Sequence, residues 1–421
     1  MKYIRLKVDL HFAALCALLA FMFSPEQSFS FYEKTGDNYG VNVNGSVNAG
    51  LGMARNPVDT FIYTSEEEVF WNGDLRLVAD LFAGKKFKAE VNVLQNIRST
   101  PLLTLPGTRS GQLEIERSSL FFRQQHDTGN SQASFTLDTV NFSLGDDASE
   151  LIIGRQPINL SVTFYFTPND FFAPFAPQNF YRVYKPGVDA VRYERRIADL
   201  SQLTIVGVLG FYEDSDTGSG WSRAPDWQRT SIIGRFTTVR GDFEWGALGG
   251  VLREYSVVGT SLQGEFFDWL GIRAEGNYKA SWKEDLRNGL ELSVGLEHRF
   301  SGRMIARLEQ LHNGTGYSSI KEVNEALADG TMQSGYLGRD YTAFAVNYEF
   351  TPLLFGDFLY LRNWTDSSQS FSFNSVYSLS DESELACTLT IPLGDRPEEG
   401  GIRTEFGSLP ARLSVEYRLY F

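Results

Sequence analysis

Cysteine is nearly missing. The chain holds 2 among 421 residues, and one of them, Cys16, falls in the first thirty. Those thirty read as a secretory leader. Lys2, Arg5 and Lys7 precede an apolar core from Phe12 to Phe23, and Ser28 and Ser30 offer small side chains for cleavage before Phe31. A core of about twelve residues is short for a membrane anchor, and Cys16 follows Leu15 rather than the small residue a lipoprotein signal needs. With residues 1–30 removed, only Cys387 remains, so no intrachain disulfide can form despite a secretory route.

Histidine is scarce as well. His126, His298 and His312 lie beyond the leader, none in a metal-ligand spacing. No arranged Ser and His or acidic and His set marks a phospholipase or a protease, so no enzyme, metal or cofactor is expected. No apolar run of about 18 residues follows the leader, which excludes helical membrane spans. Positive charge is in deficit: 38 Lys and Arg against 52 Asp and Glu give a net charge of −14, and losing the leader makes the chain one unit more negative. That balance argues against nucleic acid as a partner and against a basic surface for anionic lipid. Linkers, low-complexity tracts and composition shifts are also absent.

What is present is aromatic and glycine-rich: 33 Phe, 19 Tyr and 39 Gly, with a mean hydropathy of −0.22. A membrane protein can be this hydrophilic when every second residue faces water. The segment Tyr39–Met53 sets that pattern. Val41, Val43, Val47, Ala49, Leu51 and Met53 share one face, and Asn42, Asn44, Ser46 and Asn48 the other. Val69–Leu81 and Phe87–Val93 repeat it, with charges at every second position that a wet lumen tolerates and lipid does not. From Leu203 to Ile391 the pattern recurs, with short turns such as Arg240-Gly241 and Ser301-Gly302 alternating with long polar loops at Glu213–Asp226, His312–Asp340 and Gly394–Leu409. One loop contains a helical stretch, Lys321–Ala328. The chain ends on an alternating strand, Ala411–Phe421, with Phe421 last.

These features predict an all-β fold: a transmembrane antiparallel β-barrel over residues 31–421, of about 18 strands, with 16 the next choice. Both termini of such barrels lie on one rim, so the count is even. Parity is satisfied when Ser99–Gln112 lies on the outer side and His126–Ala148 is a periplasmic excursion in which Phe135–Leu144 does not span. Between the strands Leu151–Gln156 and Gly187–Arg196 runs a connection, 157–186, with nine aromatics and five prolines. A loop that long and that apolar packs against something, and the barrel lumen is the place for it.

Three runs carry a family resemblance: Gly154-Arg155-Gln156 at a strand end, Thr167-Pro168-Asn169-Asp170-Phe171-Phe172, and Lys185-Pro186-Gly187-Val188-Asp189-Ala190 opening the next strand. The chain resembles Gram-negative outer-membrane porin-like barrels of the alginate-export kind. Its closing strand resembles those in which a C-terminal Phe, here Phe421, is the membrane-insertion signal read by the assembly machinery. Alginate export proper implies a strongly basic lumen, whereas Arg and Lys here are mixed with Asp and Glu. The resemblance therefore implies barrel and channel and leaves the solute open.

Arg155, Gln156, Asn169, Asp170, Lys185, Asp189 and Arg192 form the candidate pore constriction. Charges of both signs around a narrowed lumen filter solutes by size and charge. Equally, Arg155, Asp170 and Asp189 can simply bond the folded loop to the wall, since a half-buried loop needs partners for its backbone. Tyr165, Tyr181 and Tyr184 keep a polar handle and are the candidate lining aromatics, while Phe171, Phe172 and Phe175 read as loop core. Trp71, Trp245, Trp269, Trp282 and Trp364 near strand ends read as an interfacial girdle, and His298 near Phe300 as its neighbour.

The reading that follows is a passive channel for small hydrophilic solutes in the outer membrane of a Gram-negative bacterium, in contact with lipid. Two alternatives stay open: a substrate-specific export or uptake channel for a polysaccharide or aromatic solute, and a closed structural or adhesion barrel. Trimers are common among general porins, and the sequence leaves homo-oligomerisation undecided.

Overall fold

The computed structural model describes residues 31–421 apart from 58–62, 64, 100–115, 129–130, 215, 218, 268, 285, 330–335 and 399–400. The leader expected over residues 1–30 and nearly all of the Ser99–Gln112 connection lie outside the described residues. The first strands are β1 (Tyr32–Gly36), β2 (Tyr39–Arg55), β3 (Glu67–Ala83), β4 (Phe87–Ser99), β5 (Phe122–Thr128), β6 (Ser131–Gly145) and β7 (Ser149–Gln156). After the long connection come β8 (Val188–Ala198), β9 (Ser201–Glu213), β10 (Trp221–Arg240), β11 (Phe243–Leu252), β12 (Tyr255–Phe266), β13 (Leu270–Ser281) and β14 (Gly289–Ser301). The last are β15 (Met304–Asn313), β16 (Asp340–Thr351), β17 (Leu354–Asn363), β18 (Gln369–Ser378), β19 (Ser383–Leu393) and β20 (Ala411–Tyr420).

The sheet closes on itself: β20 pairs antiparallel with β2 from Arg55↔Ala411 to Ser46↔Tyr420. Two strands do not span. β1 pairs only with the Tyr39–Val43 end of β2, in line with β20. β5 pairs with Ser131–Thr136 of β6, above the Val140–Gly145 stretch that β7 takes. Eighteen strands therefore form the wall, an even number, with the short turns gathered on one rim. At the seam Phe421 pairs its backbone with Gly45 in both directions, and its ring meets that of Phe31 at 5.8 Å.

The count agrees with the sequence reading, but one strand is reassigned. Phe135–Leu144 lies inside β6, which pairs with β4 along its full length and spans. A register shift opposite Asn92 and Val93 moves its outward set from Phe135 and Leu137 to Val140, Phe142 and Leu144, which blurs simple alternation. His126–Ala148 is thus no periplasmic excursion. The turn that leads into β7 is tight: Asp146 Oδ1 accepts from the N–H groups of Ala148 (2.9 Å) and Ser149 (3.0 Å), which hold its carboxyl below the usual range. Among the described residues between β4 and β6 no strand spans: a helical turn at Ser119–Phe121 leads into the short β5.

Alternation builds the two faces. Leu51, Met53, Phe142, Ile153, Ile232 and Val258 point outward and are exposed on the isolated chain, as a lipid face requires. Inward side chains bond across strands. One such ladder runs Arg307–Asn347–Asp357–Asn374–Thr388 over five neighbouring strands. Trp245, Trp269, Trp282 and Trp364 lie exposed near strand ends, and the His298 ring packs between Trp269 (5.2 Å) and Phe300 (4.4 Å).

Two stretches of the inner wall are apolar instead, and the connection 157–187 lands on them. Ile158, Leu160, Phe171 and Phe172 pack on Val188, Ala190, Val206, Val208, Ile233, Leu248 and Val257 of β8–β12. Tyr165 and Phe166 pack on Leu311, Ala343, Ala345, Leu359 and Leu361 of β15–β17. Between these patches two carboxylates hold the loop backbone. Glu275 on β13 accepts from Val162 N (2.5 Å), Asn169 N (3.0 Å), Thr163 N (3.4 Å) and Ser161 Oγ (2.6 Å). Glu309 on β15 accepts from the N–H groups of Phe164 (2.9 Å), Tyr165 (3.1 Å) and Phe166 (2.5 Å). Both carboxylates are buried, at 1% and 0% exposure. Asn277 adds bonds to Pro168 O (3.0 Å) and Asn169 Oδ1 (3.2 Å).

A second set of segments caps the long-loop rim. Helix α1 (Ile320–Ala328) starts on Ser319, whose hydroxyl accepts from Glu322 N, and buries Val323 with Tyr63, Tyr317, Leu337 and Ile402. The expected helical stretch Lys321–Ala328 is this helix. Asn324 exchanges two hydrogen bonds with the backbone of Ile402, tying the helix to the 394–410 segment. Beneath them Glu405 is buried and accepts from the Tyr341 hydroxyl and from Asn363 Nδ2 (2.8 Å). Burial pushes its carboxyl up to about 7 against the pull of the Tyr341 hydroxyl, and nearby Asp366 adds to the rise.

Two outcomes follow from these contacts. Glu309→Ala strands three buried N–H groups and is expected to destabilise the seated loop by about 2–4 kcal/mol. Glu309→Gln, which keeps an acceptor oxygen, loses less. Protease cutting within 157–187 of the refolded barrel reads this, and unchanged resistance in Glu309→Ala would refute the clamp. For Glu405, a folded pKa above the ordinary 4.5 means that the folded cap holds the proton more tightly than the unfolded chain does. Its contribution is full below about pH 4.5 and is lost as the pH rises through about 7. Protection factors of the amides in 394–398 and 401–410, corrected for the intrinsic rise of exchange with pH, should be lower at pH 8 than at pH 5.5, and Glu405→Gln should remove that drop.

Candidate functional site

The loop leaves one part of the lumen unfilled. Facing the polar wall of β20, β2, β3 and β4, it leaves a cavity of about 560 Å³. The wall contributes Asn48, Asn72, Asp74, Arg76, Leu94 and Glu416, all inward by register. The loop contributes Phe171, Pro174, Phe175, Asn179, Tyr181 and Tyr184. Offset toward one side, this is an eyelet between an aromatic edge and a polar one.

Charges around it are organised in pairs. Arg76 bonds Asp138 (2.7 Å) and Asn92 (2.8 Å), and its guanidinium lies 4.4 Å from the Tyr184 ring centroid. Arg117 reaches the other oxygen of Asp138 (2.9 Å). Arg418 lies 4.2 Å over the Tyr181 ring and bonds Glu416 (2.9 Å) and Glu384 (3.0 Å). Arg253, in the β11–β12 turn, bonds Glu116 (2.7 Å). Arg76 and Arg418 thus each cover one face of a tyrosine ring while carboxylates meet their charge. Burial raises the Tyr181 hydroxyl above its ordinary value, so it stays neutral and can donate.

The seven residues read from sequence as a constriction do not converge on this opening. Arg155 is 1% exposed and bonds both oxygens of Asp189 (2.7 and 3.0 Å), Ser118 O (2.9 Å) and Leu137 O (3.2 Å). Asp189 also accepts from Ser118 N (2.8 Å), and its own N–H bonds Glu116 O (3.0 Å). This pair fastens the 116–121 segment to the wall. Gly154, with φ +122°, is the backbone irregularity beside it. Gln156 bonds the carbonyls of Ile152 and Ala190, and buried Asn169 bonds Thr260 O (3.2 Å). Lys185 and Asp170 pair within the loop. Of these contacts, Asn169's joins the 157–187 loop to the wall, the Arg155–Asp189 pair grips residues 116–118 instead, and Lys185–Asp170 closes within the loop itself. Arg192 alone opens onto free space, a separate cavity of about 210 Å³ on the short-turn side shared with Glu194, Arg235 and Glu244.

Of the tyrosines, Tyr181 and Tyr184 line the eyelet, whereas Tyr165 is 9% exposed and packed among Phe166, Leu311 and Tyr341. Phe172 is core, Phe171 is core with one edge on the cavity, and Phe175 lines it. The residues that sequence reasoning passed over are Asn48, Asp74, Arg76 and Glu416 on the wall and Glu275 and Glu309 under the loop. Alternation places them inward but gives no clue to which of them the loop faces.

No family model matches the chain, and no curated protein sequence matches it. Solved structures do. OccAB3 of Acinetobacter baumannii superposes with a TM-score of 0.55 at 12% identity, over 90% of this chain and 99% of that one. OccK2 (OpdF) of Pseudomonas aeruginosa, solved in complex with glucuronate, gives 0.54 at 13% identity over 90% and 98%. OccK7 (OpdD) of the same organism gives 0.54 at 11% over 92% and 99%. The alginate-export resemblance finds no support among them. At these identities the likeness is one of fold: the chain shares the closed barrel of the Occ and Opd proteins over about nine tenths of its length.

Proposed function

We propose that this chain is a passive channel for small hydrophilic solutes in the outer membrane of a Gram-negative bacterium. The observation that carries it is the eyelet. A closed barrel with an apolar exterior retains a cavity of about 560 Å³ between the inserted loop and the polar wall of β20, β2, β3 and β4. Barrels of the same fold are outer-membrane porins, and one has been solved with a sugar acid, which supports passage of small polar molecules through this architecture. Phe421, paired into the seam, is the residue we assign to recognition by the assembly machinery.

The substrate-specific alternative draws support from the same cavity. Its aromatic edge and amide-bearing wall offer a solute stacking and hydrogen bonds at once, more than a plain sieve needs. In this reading Asn169, Asp170 and Lys185 act as positioning residues for the loop, Arg155 and Asp189 for the 116–121 segment, and Gln156 for the β7–β8 wall between them.

Refolded mature protein in a planar bilayer should give steady single-channel conductance. Tyr181→Ala combined with Tyr184→Ala opens the eyelet and should raise conductance roughly 1.5- to 2-fold. A folded barrel that never conducts would sink the channel reading and favour a closed structural barrel. An unchanged conductance in the double variant would move the narrowest point elsewhere.

A further inference from the structure

The wall side of the eyelet is rich in acceptors. Each guanidinium at the cavity is already committed: Arg76 and Arg117 to Asp138, Arg253 to Glu116, and Arg418 to Glu416 and Glu384. Across that set the carboxylates exceed the guanidiniums by one once Asp74 is included. Asp74 is the one met only by amides, Asn96 Nδ2 at 2.5 Å and Asn72 Nδ2 at 3.5 Å. Beside it Asn48, 9% exposed, also lines the cavity, with its side chain against the Tyr181 hydroxyl. Opposite stand the rings of Phe171, Phe175, Tyr181 and Tyr184.

The same wall stays negative toward the short-turn rim. Asp80 on β3 and Glu90 on β4 face each other across the register, both inward, and Glu90 has only Asn141 as a bonded neighbour, at 3.5 Å. Arg182, the loop cation nearest the aromatic edge, is spent on the carbonyls of Phe164, Ala176, Pro177 and Asn179 and does not line the cavity.

A carboxylate met by neutral amides rather than by a guanidinium hydrogen bond, set against aromatic side chains, is the chemistry that holds an organic cation. The carboxylate meets its charge, the acceptors take its N–H groups, and the ring faces attract it through their quadrupole. We propose that the eyelet is a site for small solutes bearing an ammonium or guanidinium group, with Asp74 as its carboxylate and Phe175 as its ring, and that the channel passes cations in preference to anions. This rests on the channel reading above.

The test uses the refolded mature protein in a planar bilayer under a KCl gradient. The reversal potential should report potassium over chloride, with a permeability ratio that falls roughly two- to fivefold in Asp74→Asn. Asp381→Asn, which removes the same charge from an exposed turn, should leave the ratio unchanged. Benzylammonium at millimolar concentration should interrupt the current, several-fold less well in Asp74→Asn and in Phe175→Ala, while benzoate of similar size should not. A preference for chloride, a ratio indifferent to Asp74→Asn, or equal block by benzoate would overturn the cation site and leave the channel standing. Absence of steady conductance would overturn both.

Discussion

Two buried carboxylates hold this structure in its working form. A thirty-residue loop inside a barrel has a polar backbone and no strand partner for it, and unpaired N–H groups away from water are costly. Glu275 and Glu309 answer that need by presenting four oxygens to a run of amides from Val162 to Phe166 and to Asn169. Burying a carboxylate is unfavourable unless several donors surround it, and here the backbone is the donor set. Each partner satisfies the other, so neither is placed unless both are. The apolar patches then set how far the loop reaches, with Phe172 at one end and Phe166 at the other.

That seating explains why the opening is one-sided. The loop covers the apolar inner faces of β8–β12 and β15–β17, where wall side chains would otherwise meet water. It leaves the polar face of β20, β2, β3 and β4 uncovered, where water or a solute is the better partner. The eyelet is therefore the remainder of a packing problem: aromatic where the loop ends, polar where the wall was never covered. Two of its arginines, Arg76 and Arg418, hold Tyr184 and Tyr181 by stacking while carboxylates absorb their charge.

Most of the barrel was legible in the sequence, because period-2 alternation and turn spacing are local signals. The strand count came out through parity even though one strand was misplaced. The bulge in β6 shifts the outward set by one residue, and the Asp146 turn hides in a polar stretch. The loop was legible as a loop, and its landing site partly so. Strand β9 carries apolar residues on both faces, with Ile205 outward and Val206 and Val208 inward, which is the mark of a wall covered on both sides. The site itself was not legible. Arg155 and Asp189 look like pore charges in a linear reading, and only the fold brings residues 116–118 over them. Asp74 and Asn48 look like any other inward polar residue until the loop is set opposite.

The seam between β2 and β20 has a consequence for how the barrel sets its diameter. Side chains alternate with a period of two, so a closing strand that slides by two residues keeps every face correct and changes only the stagger of the cylinder. Nothing in alternation forbids that slip. Here β1 already occupies the Tyr39–Val43 edge, two residues beyond the Gly45 that Phe421 pairs with, and the Phe31 ring abuts that of Phe421. The closing strand can advance no further along its partner. The short N-terminal strand, which does not span, thus works as an end stop that bars the slip in one of its two directions.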